Sequence, residues 1–248
     1  MHPLVKETSP FNEITVYETS HFAGCEGKFR CLRFADEDVQ GAMDLKDRDR
    51  VLLGYQKALI GLMEHGNPMF ERAFLIGHGI GTISRHFSHK KIRAAEVDAA
   101  VVEISRKYFD YRLNNVLVGD GRQLLEEEPS KEFDYILLDA FTSKGTPVHL
   151  TSEEFFALTS DKLRPGGTLL LNVMGRPRND RFIAALATTL KRTYDSVQAY
   201  SMPTERDSDS RNILFAAGEE PLRQGLPDGL GLREFVPEEG HLIRDSIR

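Results

Sequence analysis

Tryptophan is absent and cysteine nearly so: the 248 residues contain two cysteines, Cys25 and Cys31. Two thiols cannot staple a disulfide-built scaffold, and they fall short of the four ligands a structural zinc site takes. They could face each other across a hairpin, and reduced thiols are expected. The eight histidines show no ligand spacing, so no metal is expected. No apolar run approaches the ~20 residues that span a bilayer. The first residues lack the basic flank and apolar core of a secretory leader. The expectation is a cytoplasmic protein without a membrane partner. Positive charge is in deficit, with 32 Lys and Arg against 38 Asp and Glu, a net charge of −6. Nucleic-acid binding needs clustered cations, so it is not expected, whereas a pocket for a cationic small molecule is compatible with this balance.

What is present is a regular alternation. Phe11–Tyr17 and Lys28–Phe34 alternate apolar and polar residues around Gly24 and Gly27, the pattern of a small antiparallel sheet. Val51, Leu52, Tyr55, Leu59 and Leu62 then recur at helical spacing, with Asp47 or Asp49 as the cap and Gly66-Asn67-Pro68 as the stop. From Arg72 onward strands at 73–77, 92–97, 116–118, 133–138 and 168–174 are interleaved with helices at 81–87, 99–109, 122–128, 153–163 and 181–193. Such alternation predicts a parallel sheet covered on both faces. The last two strands, 196–201 and 212–217, are joined by a stretch without helical pattern, which suits an antiparallel hairpin. The expected fold is therefore α/β, a Rossmann-like seven-stranded sheet of the S-adenosylmethionine-dependent methyltransferase type with a small N-terminal β-sheet domain. Residues 1–46 form the small domain in this division. Residues 47–248 form the transferase domain, including the linking helix and a surface-lying C-terminal extension.

The candidate chemistry lies at the ends of successive strands. The first runs into Gly77-His78-Gly79-Ile80-Gly81, where glycines permit a tight turn and close approach of a ligand to the N-terminus of the next helix. The spacing is G-x-G-x-G, and Thr82 breaks the G-x-G-x-x-G of nicotinamide-binding folds. An ordinary βα turn also accounts for such a loop taken alone. The second strand ends in Glu96-Val97-Asp98, where Glu96 is placed to accept ribose hydroxyls. Asp98 is read mostly as a helix cap and is kept as a further cofactor contact. The third ends in Gly119-Asp120-Gly121, where Asp120 can accept from an adenine amine or cap a helix. The fourth ends in Asp139, followed by the polar loop Thr142–Pro147 that can close over substrate. Carboxylates at successive strand ends converge on the crevice where open α/β sheets bind ligands.

These motifs resemble those of the polyamine aminopropyltransferase family, the spermidine and spermine synthases, over most of the chain from about Asn12 to about Ala217. Glu96-Val97-Asp98 resembles the family's E-I-D, Gly119-Asp120-Gly121 its G-D-G, and Asp139 the first acid of its D-S-S-D. Gln40 resembles a glutamine that reaches the cofactor's ribose, Tyr55-Gln56 the tyrosine motif at the amine site, and Met202-Pro203-Thr204 the start of P-T-Y-P. The resemblance implies transfer of an aminopropyl group from decarboxylated S-adenosylmethionine to a small-molecule amine, by a homodimer. Asp139 and Tyr55 are the implied catalytic residues, and Gln40, the glycine loop, Glu96, Asp120 and Gly121 would hold the nucleoside. There are departures. Ile80 stands where the family's glycine loop carries an acid facing the aminopropyl ammonium, Thr142 stands for the last Asp of D-S-S-D, and Glu205 for the tyrosine of P-T-Y-P. The stretch with Pro147, His149, Leu150 and Glu154-Phe155 resembles a bacterial spermidine-synthase-like subgroup.

Three functions follow from these residues. The leading one is aminopropyl transfer with an atypical amine pocket, with His78 and Glu205 as substitute polar groups. The second is methyl transfer from intact S-adenosylmethionine, since Ile80 would no longer repel its carboxylate. The third is a non-catalytic nucleoside-binding homologue.

Overall fold

The computed structural model describes residues 2–35, 39–142, 145–204, 206, 209–222 and 229–245. Glu205, Ser143 and Lys144 lie outside the described residues, so the reading of Glu205 as a substitute polar group is carried no further.

Four strands, β1 (His2–Thr8), β2 (Glu13–Phe22), β3 (Cys25–Arg33) and β4 (Val39–Asp44), form an antiparallel sheet in sequence order. Sequence alternation reveals β2 and β3. Strand β1 lies at the edge and is exposed along most of its described length, so it shows little inward patterning. Both cysteines fall on β3: Cys25 is exposed and Cys31 buried opposite Tyr17, so they do not face each other across a hairpin.

The linking helix α1 (Gly54–Gly66) starts later than expected, with Leu53 as its uncapped first flank. Asp47 instead closes a turn through its carbonyl, which accepts from the Arg50 N–H at 3.2 Å. After it come β5 (Arg72–Ile76), α2 (Thr82–His86), β6 (Lys91–Glu96), α3 (Ala99–Tyr108), β7 (Val116–Val118), α4 (Gly121–Glu126) and β8 (Phe133–Leu138). A 3-10 turn over Val148–Leu150 precedes α5 (Glu153–Lys162), β9 (Leu163–Gly175), α6 (Arg181–Leu190), β10 (Ser196–Ser201), β11 (Arg211–Gly218) and β12 (Arg233–Phe235). Pro165-Gly166-Gly167 does not separate helix from strand, because β9 already begins at Leu163. The register slips there, from Phe133 opposite Leu163 to Tyr135 opposite Thr168.

The large sheet has the order β12-β10-β11-β9-β8-β5-β6-β7. Strands β7, β6, β5, β8 and β9 are parallel, while β11, β10 and β12 add antiparallel pairs. All seven expected strands are present, and β12, from the C-terminal extension, adds an eighth at the edge. The central strands are nearly continuous apolar runs because both faces are covered. Phe74, Ile76, Ile136 and Leu138 pack toward α5 and α6 on one face, and Ala73, Leu75, Tyr135 and Leu137 toward α1 on the other. Among the described residues no helix is long and apolar enough to cross a membrane.

The small sheet is fastened to the large domain by a shared core. Ile14, Val16, Leu32 and Met43 meet Val101, Ile104 and Phe109, with Ile80 among them. Ile80 is 1% exposed, and a Cβ placed on Gly41 of β4 would lie 2.5 Å from its Cγ2. Ile80 therefore does not face the cavity, where the resemblance places the family's acid. Its apolar side chain joins the two sheets. Ile80→Ala should cost about 2–5 kcal/mol of stability, the range for emptying a packed core site. Ile80→Asp should cost more, by burying an unpaired carboxylate. Urea unfolding followed by circular dichroism measures both.

Candidate active site

The order of the sheet reverses between β5 and β8, and connections leave that point in opposite directions, so a crevice opens beyond the carboxyl ends of these strands. A cavity of about 360 Å³ occupies it. Among the expected site residues, Gln40, Tyr55, Gly77, His78, Gly79, Glu96, Asp120, Gly121 and Asp139 line it. Gly81 and Asp98 do not.

The glycine loop follows β5. Gly77 has φ 102° and Gly79 φ 54°, a region that side chains with a Cβ rarely enter. Gly81, φ 81°, is the N-cap of α2, and a Cβ on it would lie 2.2 Å from the Tyr111 ring. Its role is to let Tyr111 pack against the turn. The His78 ring is likewise turned into the protein. Its Nε2 lies 2.9 Å from Ser105 Oγ, and the ring meets Tyr111 edge-on at 4.5 Å. Burial, with Arg106 and Arg85 nearby, pushes His78 down to about 4, so the ring is neutral near pH 7 and offers no cationic contact.

Glu96, at the end of β6, accepts the His78 N–H at 3.0 Å and the Asp98 N–H at 3.1 Å. Burial raises its carboxyl above the ordinary range, opposed by these N–H donors. Asp98 caps α3, accepting the Ala100 N–H at 3.0 Å, and its other oxygen takes the Ser9 hydroxyl at 2.5 Å. Asp98 is 2% exposed and does not line the cavity, so it acts as a structural cap and not as the cofactor contact expected of it. Asp120 caps α4 through Oδ1, which accepts from Arg122 and Gln123 N–H at 2.9 and 3.1 Å, yet it still lines the cavity. Gly121 is needed because a Cβ there would lie 2.4 Å from the Ile76 side chain.

Asp139, at the end of β8, is held by side chains. Asn172 of β9 donates to its Oδ1 at 2.8 Å, Asn172 Oδ1 accepts from Asn212 of β11 at 3.0 Å, and the nearby Tyr55 hydroxyl favours the charged form of Asp139. Gln56 in turn approaches Tyr55 through its Nε2 at 3.4 Å, and Gln56 Oε1 is buried without a partner among the described residues. Burial pushes the Asp139 carboxyl up to about 6, with Asn172 and Tyr55 opposing the rise and the Glu96 charge adding to it. The Tyr55 hydroxyl is raised by burial and by Asp139. A carboxylate titrating near 6 can take a proton near neutral pH.

Thr142, in place of the family's second acid, lines the cavity and closes a turn with Gly145, whose carbonyl accepts its hydroxyl at 2.8 Å. Sequence reasoning missed Asn172, although a lone amide inside the apolar run Leu169–Val173 marks a buried partner. It also missed Phe11, Asn12 and Phe34, which line the cavity from the small sheet and carry no local signal. Met202 packs near α1, where a Cβ on Gly54 would meet it at 3.1 Å, and neither Met202 nor Pro203 nor Thr204 is among the lining residues.

A doubly covered, mainly parallel sheet with carboxylates at the ends of β6, β7 and β8 defines a Rossmann-like transferase of the methyltransferase type. The chain belongs to the spermine/spermidine synthase family, whose domain matches residues 52–205. It is 27% identical over 237 residues to the polyamine aminopropyltransferase of Vibrio vulnificus, covering 89% of this chain and 74% of that protein. It is 26% identical over 206 residues to the spermine synthase of Arabidopsis thaliana, covering 78% of this chain and 54% of that protein. The chain spans about half the length of the plant relatives it matches. In fold it is similar to a probable spermidine synthase from Corynebacterium glutamicum, with a TM-score of 0.82 at 17% identity over 98% of this chain and 97% of that one.

Replacing Asn172 by Leu removes the N–H that favours the charged form of Asp139. The Asp139 titration should then move upward from about 6, read from the carboxyl carbon shift in carbon-13 NMR.

Proposed function

We propose that this protein transfers an aminopropyl group from decarboxylated S-adenosylmethionine to a small amine. The observation that carries this reading is the charge of the cavity. Glu96, Asp120 and Asp139 line it, and no lysine or arginine does among the described residues. Such a wall suits a ligand bearing sulfonium and ammonium charges and no carboxylate. Intact S-adenosylmethionine would set its carboxylate among acids, where like charges a few ångström apart cost on the order of kcal/mol.

Gln40 and Glu96 would hold the ribose, Asp120 the base, and Tyr55 and Gln56 the amine channel. When bound, the co-substrate supplies a carbon already activated by the adjoining sulfonium. The chain's own work is to orient the amine and take its proton. An alkylamine arrives charged, since its pKa is about 10; Asp139 would take one proton first, and the freed nitrogen lone pair would then form the new C–N bond as the C–S bond breaks and methylthioadenosine leaves. In this reading residues 1–46 close the nucleoside side of the cavity and residues 47–248 carry the transfer. One observation favours methyl transfer from the intact cofactor as a second reading: Ile80 leaves the glycine loop without an acid.

Incubation with an amine panel and either cofactor, followed by mass spectrometry, tests both. Aminopropyl adducts formed only with the decarboxylated cofactor are expected, and methyl adducts formed only with the intact one would overturn the proposal. Asp139→Asn should lower transfer by about 10²–10⁴-fold, the contribution of a positioned base. The base must be ionised, so the wild-type rate should fall as pH drops through about 6. Stability runs the other way. The carboxyl is raised from 3.8 to about 6 on folding, so its stabilising contribution is present below 3.8 and lost as pH rises through about 6. Asp139→Asn should therefore raise the melting temperature at pH 8 relative to wild type and not at pH 4.

A further inference from the structure

The second oxygen of Asp120 is occupied by a residue to which no role has been given above. Oδ1 is spent on the first turn of α4, while Oδ2 lies 2.8 Å from Nε2 of His149. His149 stands on the 3-10 turn Val148–Leu150 and lines the cavity. A carboxylate oxygen only accepts, so Nε2 carries the hydrogen.

The backbone of this turn is itself anchored. Arg122 Nη1 donates to the His149 carbonyl at 3.0 Å and to Asp245 Oδ1 at 2.9 Å, and a second arm of the guanidinium reaches Asp245 Oδ2 at 2.8 Å. Asp245 is fixed by its own N–H to Glu154 at 3.0 Å, and the preceding Ile243 exchanges backbone contacts with α5 and α6, donating to Thr189 Oγ1 and accepting from Glu153 N–H, both at 2.9 Å. The C-terminal segment thus holds the turn that carries His149, and His149 holds the carboxylate.

We infer that His149 is the specificity-determining positioning residue of the base pocket: its Nε2–H fixes Asp120 Oδ2 so that the site accepts a purine with an exocyclic amine and rejects one with an oxo group there. This rests on the nucleoside reading of the cavity. An oxygen with one lone pair taken by His149 keeps one more for an N–H donor. An adenine amine supplies that donor. A 6-oxo purine offers only lone pairs at the same place, and the oriented anion repels them. Without His149, Oδ2 still exists but its direction is set by Oδ1 alone, so the discrimination fades while the floor and walls of the cavity persist.

The experiment measures binding of 5′-methylthioadenosine and 5′-methylthioinosine by calorimetry to wild type, His149→Ala, His149→Gln and Asp245→Ala, with melting curves for each. Wild type should prefer the adenine compound. His149→Ala should weaken it about tenfold, the worth of one hydrogen bond to a charged group, and leave the inosine compound nearly unchanged. His149→Gln, whose amide N–H reaches a similar position, should restore most of the preference, and Asp245→Ala should fall between. In turnover, the KM for the nucleoside co-substrate should rise with kcat retained. Equal affinity of wild type and His149→Ala for the adenine compound overturns the inference alone. So does equal weakening of both nucleosides, or failure of Gln to rescue in a folded variant. Binding of neither nucleoside by wild type overturns the nucleoside reading and this inference with it.

Discussion

The close approach of β5 and β8 at their carboxyl ends governs the rest of the site. A Cβ on Gly77 would sit 2.1 Å from the Asp139 carbonyl oxygen, so only glycine lets the two chains run on side by side past the end of the sheet. Pairing continues there: the Asp139 N–H reaches Ile76 O at 2.8 Å, the Gly77 N–H reaches Ala95 O at 2.9 Å, and the Gly119 N–H reaches Glu96 O at 2.9 Å. These contacts carry the strand directions of β8, β5, β6 and β7 into their loops. The carboxylates that follow are thereby brought to one crevice by backbone hydrogen bonding, before any ligand contributes.

Each acid at these ends has been given a different set of partners, and the partners sort their roles. Asp98 has both oxygens hydrogen-bonded inside the protein. Glu96 braces the glycine loop while still lining the cavity. Asp120 divides its oxygens between a helix and His149. Asp139 alone is held by the side chains of an asparagine and a tyrosine, neither of which neutralises it. Burial against these neutral partners raises its carboxyl to about 6. The folded state bears that cost in the place where the proposed chemistry needs it, as a trade between stability and activity would have it.

The small sheet belongs to the same design. Ile80 spends the position after Gly79 on a core contact with β4, α3 and the strands behind them, and that contact brings Phe11, Asn12, Phe34 and Gln40 to the cavity wall. The departure from the family's acid is thus a packing substitution. The charge of the cavity is carried by Glu96, Asp120 and Asp139 without it.

Much of this was legible along the chain. The alternation of apolar runs with helical periods announces β5 to β11, because strands buried on both faces are apolar along most of their length, as Tyr135–Leu138 is. The acids Glu96, Asp120 and Asp139 were legible because each ends such a run. The strands β1, β4 and β12 were not: β1 and β12 carry exposed side chains with little periodicity, and Val39–Asp44 of β4 shows no apolar–polar alternation. The start of α1 was missed because the carbonyl of Asp47 closes a turn, a choice its side-chain chemistry does not reveal. By itself, then, the sequence determined the order of elements, the glycine turn and the carboxylates of the crevice, since these depend on local conformational preference and on periodic burial. Only the tertiary structure decided that Ile80 faces a core, that His78 is neutral and turned inward, that Asp98 is spent on a cap, and that Asn172 and His149 hold Asp139 and Asp120. Those outcomes depend on contacts between residues distant in sequence, such as Ser9 and Asp98, 89 positions apart, and no local pattern encodes which oxygen a distant donor will reach.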